Sequence, residues 1–187
     1  GAAVLTRNME AHARMAKALR ENDTVDADGD GKATQVGIAL YVAVIQPATD
    51  STLDTFVAGL SDDLLNEAIP RAGRTGRVQI SIPGDVEIDQ EIPGLKGSFD
   101  YLGVNYYSRY YVRADLGDAS LSHQYVPVGR STTDADLEIY PEGLYLFLKR
   151  FSGYGWPIII TENGLADRKG DLRPGYLRSH FYAMQRR

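Results

Sequence analysis

Two strand-like segments of this sequence end on polar side chains that could do chemistry. The run "IIITENG", residues 158–164, leads from an apolar stretch to the carboxylate of Glu162 and then to a polar turn. The run "LGVNYY", residues 102–107, ends on Asn105 and Tyr107, which strand alternation places on one face. In a parallel α/β sheet, catalytic groups gather at the carboxyl ends of strands. By position alone, Glu162 is either such a group or a solvated carboxylate at a strand end.

Helices and strands alternate along the chain. The pattern predicts a helix over 3–21, a strand over 35–47, a helix after Asp50-Ser51, a strand over 99–107, a helix from Pro141, a strand over 156–162 and a helix from about Tyr176. Residues 70–98 and 108–138 are predicted to be largely irregular, with one short strand-like run, "RVQISIPG". The apolar run of the first strand is typical of a strand covered on both faces.

This alternation predicts an α/β fold with parallel βαβ units. Three strands are too few for a (β/α)8 barrel or for most doubly wound sheets, so the chain is predicted to be part of a larger sheet.

Composition narrows the function classes. The 187 residues are 43% hydrophobic, enough for one sizeable core. The net charge of -5 argues against nucleic acid as a partner, and the absence of cysteine excludes disulfides and thiolate metal sites. No apolar run approaches about 18 residues and no signal-peptide pattern is visible, so we expect no membrane partner and favour a cytoplasmic location.

Several short runs resemble metal- or phosphate-binding motifs but lack a residue that the motif requires. The loop "DADGDGKATQVG" places Asp26, Asp28 and Asp30 at calcium-ligand positions, but Gly37 stands where the bidentate glutamate should be. The run "GDGK" lacks the first glycine of a phosphate loop. The three histidines are scattered, and His12 and His180 lie on apolar helix faces, which indicates core or interface roles. A calcium-responsive module remains the weaker alternative function, and no metal or cofactor is predicted.

Three segments carry a family resemblance. "FDYLGVNYYSRYYVR", "EIYPEGLYLFLKRF" and "PIIITENGLAD", in this order and spacing, resemble glycoside hydrolase family 1, the retaining β-glucosidases. The resemblance runs along essentially the whole chain. It implies a partial (β/α)8 TIM barrel, with residues 1–187 as one incomplete barrel domain. That domain would run from the helix after barrel strand 4 to the helix after strand 7, covering strands 5 to 7.

The resemblance also implies roles for the polar strand ends. Glu162, in "TENG", would be the nucleophile that attacks the anomeric carbon of a β-glucoside. Asn105 and Tyr107 would lie beside it in the sugar subsite. A tyrosine that donates a hydrogen bond to a carboxylate favours the ionised, nucleophilic form.

The second carboxylate of such a site is not found in these residues. The family carries its acid/base in a Thr-x-Asn-Glu-Pro motif, and the only similar run, Asn66-Glu67, lies in a helix and lacks the proline. We therefore predict that the chain alone is inactive, and that it self-associates or binds the remaining half-barrel. The alternative is a non-catalytic sugar-binding subunit or the complementing half of a split glycosidase. The aglycone and a 6-phosphosugar preference stay open.

One departure from the family falls before "EIYPEG". The family usually has Gly-Trp there, whereas this chain has Asp136-Leu137. The substitution is expected to affect local packing more than the chemistry.

Overall fold

The computed structural model describes residues 2–115, 117 and 122–186. The helices are α1 (Ala2–Asn22), α2 (Thr52–Asp62), α3 (Ala68–Thr75), α4 (Glu142–Ser152) and α5 (Arg173–Met184), with a π-helical stretch (Asp63–Glu67) joining α2 to α3. The strands are β1 (Gly37–Pro47), β2 (Arg77–Ile82), β3 (Val86–Glu91), β4 (Tyr101–Ala114), β5 (Ser122–Tyr125) and β6 (Ile158–Asn163). The predicted helix–strand alternation is confirmed.

Strand β4 is the centre of the main sheet. It pairs with β1 and with β6, in parallel on both sides, and its far end pairs with β5 in antiparallel. The fold is thus α/β with a mixed sheet, and the three parallel strands are those predicted from the sequence. Strand β4 continues to Ala114, seven residues past the predicted end at Tyr107, because the β5 hairpin supplies it with further backbone partners.

One face of the sheet is covered by α4. Leu40 and Val42 of β1 and Leu102, Val104 and Tyr106 of β4 are buried there against Leu144, Phe147 and Phe151 of the helix. The period-2 alternation directs the intervening side chains to the other face. There Tyr41 and Ile159 remain 41% and 47% exposed. The prediction that β1 is covered on both faces is therefore wrong at Ala39 and Tyr41, which are exposed, whereas farther along the strand Ile45 packs against Val57 and Ala58 of α2.

A second core forms away from the sheet, in the region predicted to be irregular. Residues 77–91 form a β2–β3 hairpin, and α1 packs against it through Met9 and Ala13. The alternation of Val78 and Ile80 with polar residues supplies the buried face of this hairpin. The irregular assignment of residues 70–98 is thus largely wrong, because the hairpin contributes a core of its own.

Two helices differ from their predicted form. In α1, the helical spacing predicts an apolar face formed by Leu5, Met9, His12, Met15, Ala16 and Leu19. Of these, Met9, His12 and Ala16 are buried as predicted, whereas Met15 and Leu19 are exposed and Ala13 is buried in addition. Helix α3 continues through Pro70, its third residue, which lies three positions after the end of the π-helical stretch. A π-turn accommodates residues that interrupt the regular i to i−4 hydrogen bonds, so this proline does not end the helix. None of the described helices is both long and apolar enough to cross a membrane.

Glycine at position 143 is required by the packing of α4 on β4. A Cβ at Gly143 would lie 2.0 Å from the hydroxyl of Tyr106, which is fully buried and donates a hydrogen bond to the carbonyl of Tyr140 at 2.5 Å. We expect Gly143→Ala to destabilise the protein by about 1–3 kcal/mol through overpacking. Gly59→Ala in α2 is the control, because its Cβ would meet nothing within 4 Å; it should be neutral or stabilising by up to about 1 kcal/mol. Equal shifts of the thermal unfolding midpoint for the two variants would contradict this account.

Candidate active site

Strand register brings three polar side chains to one level of the sheet. Tyr41 of β1 is paired with Asn105 of β4, and Asn105 is paired with Glu162 of β6. Tyr107 follows two residues after Asn105 on the same face. The predicted site residues Glu162, Asn105 and Tyr107 are therefore brought together, at the carboxyl end of β6 and midway along β4.

A register shift directs Glu162 onto this face. The pairing of β4 with β6 passes from Val104–Ile160 to Asn105–Glu162, which leaves Thr161 as an extra residue. The Thr161 hydroxyl donates to Asn105 Oδ1 at 2.5 Å, and Glu162 accepts a hydrogen bond from Tyr107. The side chains of Thr161 and its neighbour Glu162 therefore point to the same face of the sheet. In a regular strand they would point to opposite faces. Bulges of this kind re-aim side chains next to active sites.

The Tyr107 hydroxyl donates a hydrogen bond to Glu162 Oε2. This bond to a carboxylate raises the pKa of Tyr107 above its usual value, with a smaller contribution from burial. Tyr107 therefore stays protonated and remains a donor at neutral pH. Both side chains line an open cavity of about 690 Å³, here called the Glu162 cavity, whose other lining residues include Tyr41, Leu137 and Arg173.

Tyr41 forms a further wall of the Glu162 cavity. Its ring stacks on Tyr107 with 6.2 Å between centroids and 29° between planes. Its hydroxyl lies 3.0 Å from that of Tyr110. Burial, followed by the hydrogen bond with Tyr110, raises the pKa of Tyr41. Tyr41 was not predicted as a site residue. The only signal in the sequence was the strand alternation that places Tyr41 on the same face of β1 as Ala39.

A second register shift, between β1 and β4, is bridged by Asn66. Pairing passes from Val42–Tyr106 to Val44–Arg109, so Ala43 lies at the irregularity. The fully buried Asn66 amide donates to the Ala43 carbonyl at 2.9 Å and accepts from the Ala43 N–H at 3.2 Å. Both polar backbone groups of Ala43 are thus satisfied.

Glu67, the neighbour of Asn66, faces away from the candidate site. It accepts a hydrogen bond from the hydroxyl of Tyr154 at 2.5 Å, and Arg150 lies 3.5 Å from its carboxylate. Tyr154 packs against the core between the sheet and α4, on the face opposite Glu162. The interpretation of Glu67 as a helix-face residue is confirmed.

The turn after Glu162 is fixed by Asn163. Its amide donates to the carbonyl of Tyr106 at 2.8 Å and to the hydroxyl of Tyr176 at 3.0 Å. Tyr176 stacks on His180, which is fully buried and whose Nδ1 lies 2.8 Å from the Tyr176 carbonyl. Burial lowers the pKa of His180, which keeps the ring neutral. The core role predicted for His180 is confirmed, as is that of buried His12, which packs edge-on against Phe99.

The aspartates of the loop before β1 lie close together on the surface. One oxygen from each of Asp26, Asp28 and Asp30 lies within 4.8 Å of the others, and all three residues are exposed. Asp26 accepts backbone hydrogen bonds from Gly29 and Gly31, and the bond from Gly31 is the main cause of its lowered pKa. Gly37 begins β1, so the loop leads into a strand and not into the second helix of a calcium hand.

Comparison with known proteins identifies the family. Residues 3–185 match the model of glycosyl hydrolase family 1. The chain belongs to this family. A β-galactosidase of Pyrococcus woesei is 31% identical over 92% of this chain, and β-glucosidase 16 of Arabidopsis thaliana is 29% identical over 91%. The chain spans only 37% and 38% of the length of these two relatives.

Solved structures of family 1 enzymes share the fold. A β-glycosidase from Pyrococcus horikoshii aligns with a TM-score of 0.76 and 26% identity over 94% of this chain and 38% of its own. A family 1 glycoside hydrolase from Thermotoga maritima, complexed with a transition-state mimic, aligns with a TM-score of 0.74 and 25% identity over 94% of this chain and 41% of its own. These structural neighbours are TIM-barrel proteins.

The family 1 departure at Asp136 has a backbone explanation. Asp136 adopts a φ of 56°, and it is the single non-glycine residue with positive φ in the described part of the chain. A position with this conformation favours the glycine that the family usually has, and aspartate is among the residues that best tolerate it. Leu137, at the family's tryptophan position, lines the Glu162 cavity. The loop therefore keeps its turn while offering a smaller apolar wall.

The Tyr107–Glu162 hydrogen bond predicts a shift in tyrosine titration. Because the carboxylate is the main cause of the raised Tyr107 pKa, Glu162→Gln should lower that pKa toward the ordinary tyrosine value. The change is measured by ultraviolet titration of tyrosinate, with the Tyr107 signal isolated by subtracting the matched Tyr107→Phe variant in each background. Glu142→Gln, on the surface at the start of α4, is the control and should leave the signal unchanged. An unaltered Tyr107 titration in Glu162→Gln would show that the two groups do not interact in solution.

Proposed function

We propose that this chain carries the nucleophile side of a retaining β-glycosidase site, with Glu162 as the nucleophile. The observation that carries the proposal is the hydrogen bond from Tyr107 to Glu162, at the end of a parallel strand and within an open cavity. Membership of glycosyl hydrolase family 1 supports it. The substrate class is a β-linked glucoside or galactoside, as the names of the relatives suggest.

The chemistry requires two carboxyl groups. In retaining enzymes a carboxylate attacks the anomeric carbon and forms a covalent glycosyl-enzyme, while an acid about 5–5.5 Å away protonates the departing oxygen. Water then releases the sugar with the same acid acting as base. Glu162 fits the first role because it is exposed to the cavity, and because the hydrogen bond from Tyr107 fixes the orientation of its carboxylate.

Asn105 is placed to bind the sugar. Its carbonyl oxygen accepts the hydrogen bond from Thr161, so the amide group is oriented with its N–H donors available for another acceptor. A hydroxyl group of the bound sugar is the partner that we propose. Tyr107 and Asn105 thus act in different ways, one on the nucleophile and the other on the substrate.

We also propose that β1, β4 and β6 correspond to barrel strands 5, 6 and 7, and that residues 1–187 form one incomplete barrel domain. Their mutual parallel pairing and the cover of one face by α4 support this assignment. No Thr-x-Asn-Glu-Pro motif occurs in these 187 residues, and Glu67 faces the other side of the sheet. The general acid would therefore come from outside this chain.

Covalent labelling tests the nucleophile directly. A 2-deoxy-2-fluoro glucoside with an activated leaving group needs little help from a general acid, so we expect one fluoroglucosyl adduct on Glu162 by intact-mass and peptide analysis. Glu162→Gln should abolish the adduct. Tyr107→Phe should slow labelling by about 10- to 100-fold, the range for losing a hydrogen bond to a charged group. The exposed Tyr182→Phe on α5 is the matched control and should label at the wild-type rate.

Three outcomes would count against the proposal. No adduct in a folded sample, or an adduct that persists in Glu162→Gln, would exclude Glu162 as a working nucleophile in this chain. Steady turnover of an aryl glucoside by the chain alone would contradict the absence of an acid/base, since loss of a general acid typically costs about 10²–10⁴ in rate.

A second candidate function, the complementing half of a split glycosidase, is favoured by the open surfaces of the sheet. In the described residues, β1 and β6 each pair with β4 alone, so each has a free edge. On the face that bears Glu162, the large side chains of Tyr41 and Ile159 are exposed as well. Unpaired edges with apolar neighbours promote association.

The complementation hypothesis predicts that the chain alone self-associates. Sedimentation velocity at micromolar concentration should show species larger than the monomer, and Ile159→Lys should shift the distribution toward the monomer. Val128→Lys, on a fully exposed loop, should not. A wild-type monomer with a cooperative unfolding transition would contradict the hypothesis.

A further inference from the structure

The turn that follows Glu162 is supported by two residues of α5. The Asn163 amide donates one hydrogen bond to the Tyr106 carbonyl of β4 and another to the Tyr176 hydroxyl of α5. It therefore ties the end of β6 to both of these elements. Tyr176 is buried, and its ring stacks on His180 with 3.8 Å between centroids and 24° between planes. The position of the turn thus depends on how one histidine packs.

His180 is held in one neutral form. It is fully buried, and its Nδ1 lies 2.8 Å from the Tyr176 carbonyl. Because a carbonyl oxygen can only accept, Nδ1 carries the proton and Nε2 bears the lone pair. Among the described residues, Nε2 has no hydrogen-bond partner. Protonation of Nε2 would therefore create a buried cation whose new N–H donor has no acceptor.

The groups that surround His180 do not offset such a charge. Tyr176, on the same helix, and Tyr106 of β4, whose ring lies 6.2 Å away, are phenols. Burial raises the pKa of both, that of Tyr176 to about 12, so both stay neutral in the pH range where a histidine titrates. In the described part of the chain, no carboxylate is bonded to the His180 ring. Helix α4 also packs against α5. The other titratable side chains of these two helices are at least partly exposed: Glu142, Tyr145, Lys149, Arg150, Arg173, Arg178 and Tyr182.

Protonation of His180 is therefore linked to the packing of α5. Burial lowers the pKa of His180 in the packed state. If α5 opens, the exposed ring has an ordinary pKa of about 6.5 and takes up a proton below that pH, which the packed ring does not. The packed state is thus fully favoured above about pH 6.5 and loses stability as the pH falls below this value.

We propose that Tyr176 and His180 are positioning residues for Glu162, and that protonation of His180 separates α5 from the Asn163 turn. They act on Glu162 through Asn163, its neighbour in the chain. The inference rests on the proposed function of Glu162 and adds an acid-sensitive support to that site. The turn is held in place at neutral pH and is released in acid.

Hydrogen exchange at two pH values measures this release. Exchange of peptides that cover residues 162–180, corrected for the intrinsic rate at each pH, reports how often the turn and α5 open. In the wild-type chain we expect protection to fall about tenfold between pH 7.5 and 5.5, the change for one histidine that is protonated only in the open form. His180→Phe keeps an aromatic ring against Tyr176 but cannot take up a proton. In that variant the protection should be nearly independent of pH.

His12→Phe is the matched control. His12 is also buried, with an Nε2 that has no hydrogen-bond partner in the described residues, but it packs against Phe99 away from the site. This variant should retain the tenfold change in residues 162–180. Tyr176→Phe, which removes the hydroxyl that accepts from Asn163, should lower the protection of the turn by about 3- to 10-fold at pH 7.5, the range for one hydrogen bond. The exposed Tyr182→Phe on α5 should leave that protection unchanged.

The outcomes separate this inference from the proposed function. Protection that does not depend on pH in the wild type, or a pH dependence that persists in His180→Phe, would overturn the role of His180. Loss of the pH dependence in His12→Phe as well would show that the turn opens only when the whole protein unfolds, which also overturns it. Unchanged protection in Tyr176→Phe would reject Tyr176 as a support. If these measurements fail while Glu162 is still labelled at pH 7.5, only the support by α5 is rejected. If Glu162 is not labelled, the proposed nucleophile is rejected, and the role of positioning it with it, even where the turn opens in acid.

Discussion

The candidate site depends on the two register shifts that flank β4. Regular parallel pairing would send Thr161 and Glu162 to opposite faces, and it would leave the Tyr107–Glu162 hydrogen bond unmade. The shift on the β6 side brings Glu162 to the face of Asn105 and Tyr107. The shift on the β1 side interrupts the ladder at Ala43, where the buried amide of Asn66 replaces the strand partner. The site is thus built from backbone irregularities whose polar groups are satisfied by side chains.

A buried ion pair holds the loop that closes this site. Arg109, just past the second shift, forms two hydrogen bonds to Glu138, at 2.9 Å and 2.5 Å, and both side chains are buried. The guanidinium also lies 3.8 Å from the centroid of the Tyr140 ring. A buried charge without its partner is strongly unfavourable, so the loop is tied to one position on β4. Because Ala135 and Leu137 of that loop line the Glu162 cavity, this pair holds one wall of the cavity in place.

The sequence predicted a strand, a helix cap or a site residue correctly where a single local pattern determined it. Apolar, β-branched runs located the three parallel strands, and the polar residues at the predicted strand ends singled out Glu162, Asn105 and Tyr107. Ser51 caps α2 as expected, because its side chain accepts from the Asp54 N–H. The family resemblance supplied the roles that position alone left undecided.

Other features depended on contacts between distant segments. The strand-like run "RVQISIPG" was confirmed as β2, but its partner β3 was not predicted among the glycines and prolines of residues 70–98. The stability of the hairpin comes from packing on α1, which no local pattern reports. Strand β4 was predicted too short because its extension relies on pairing with β5. The bridging role of Asn66 could not be read from "LNEAIP", since its partner Ala43 lies 23 residues away. Tyr41 was missed for the same reason, because its importance arises from register and not from spacing.

The two carboxyl groups of the proposed mechanism, the nucleophile and the general acid, differ in which residues position them. Glu162, the proposed nucleophile, is positioned by adjacent strands, β4 and β6, and by the Asn163 turn, all within this chain. Sites on strands fixed by hydrogen bonds are held more tightly than sites on loops, so this carboxylate is preorganised locally. Protonation of a leaving group requires an acid on the other side of the substrate, which these strands do not provide. The open face of the sheet is where that group would have to approach, and it is the same face on which Tyr41, Asn105 and Glu162 lie. Covering this face would therefore stabilise the sheet and complete the site in one step.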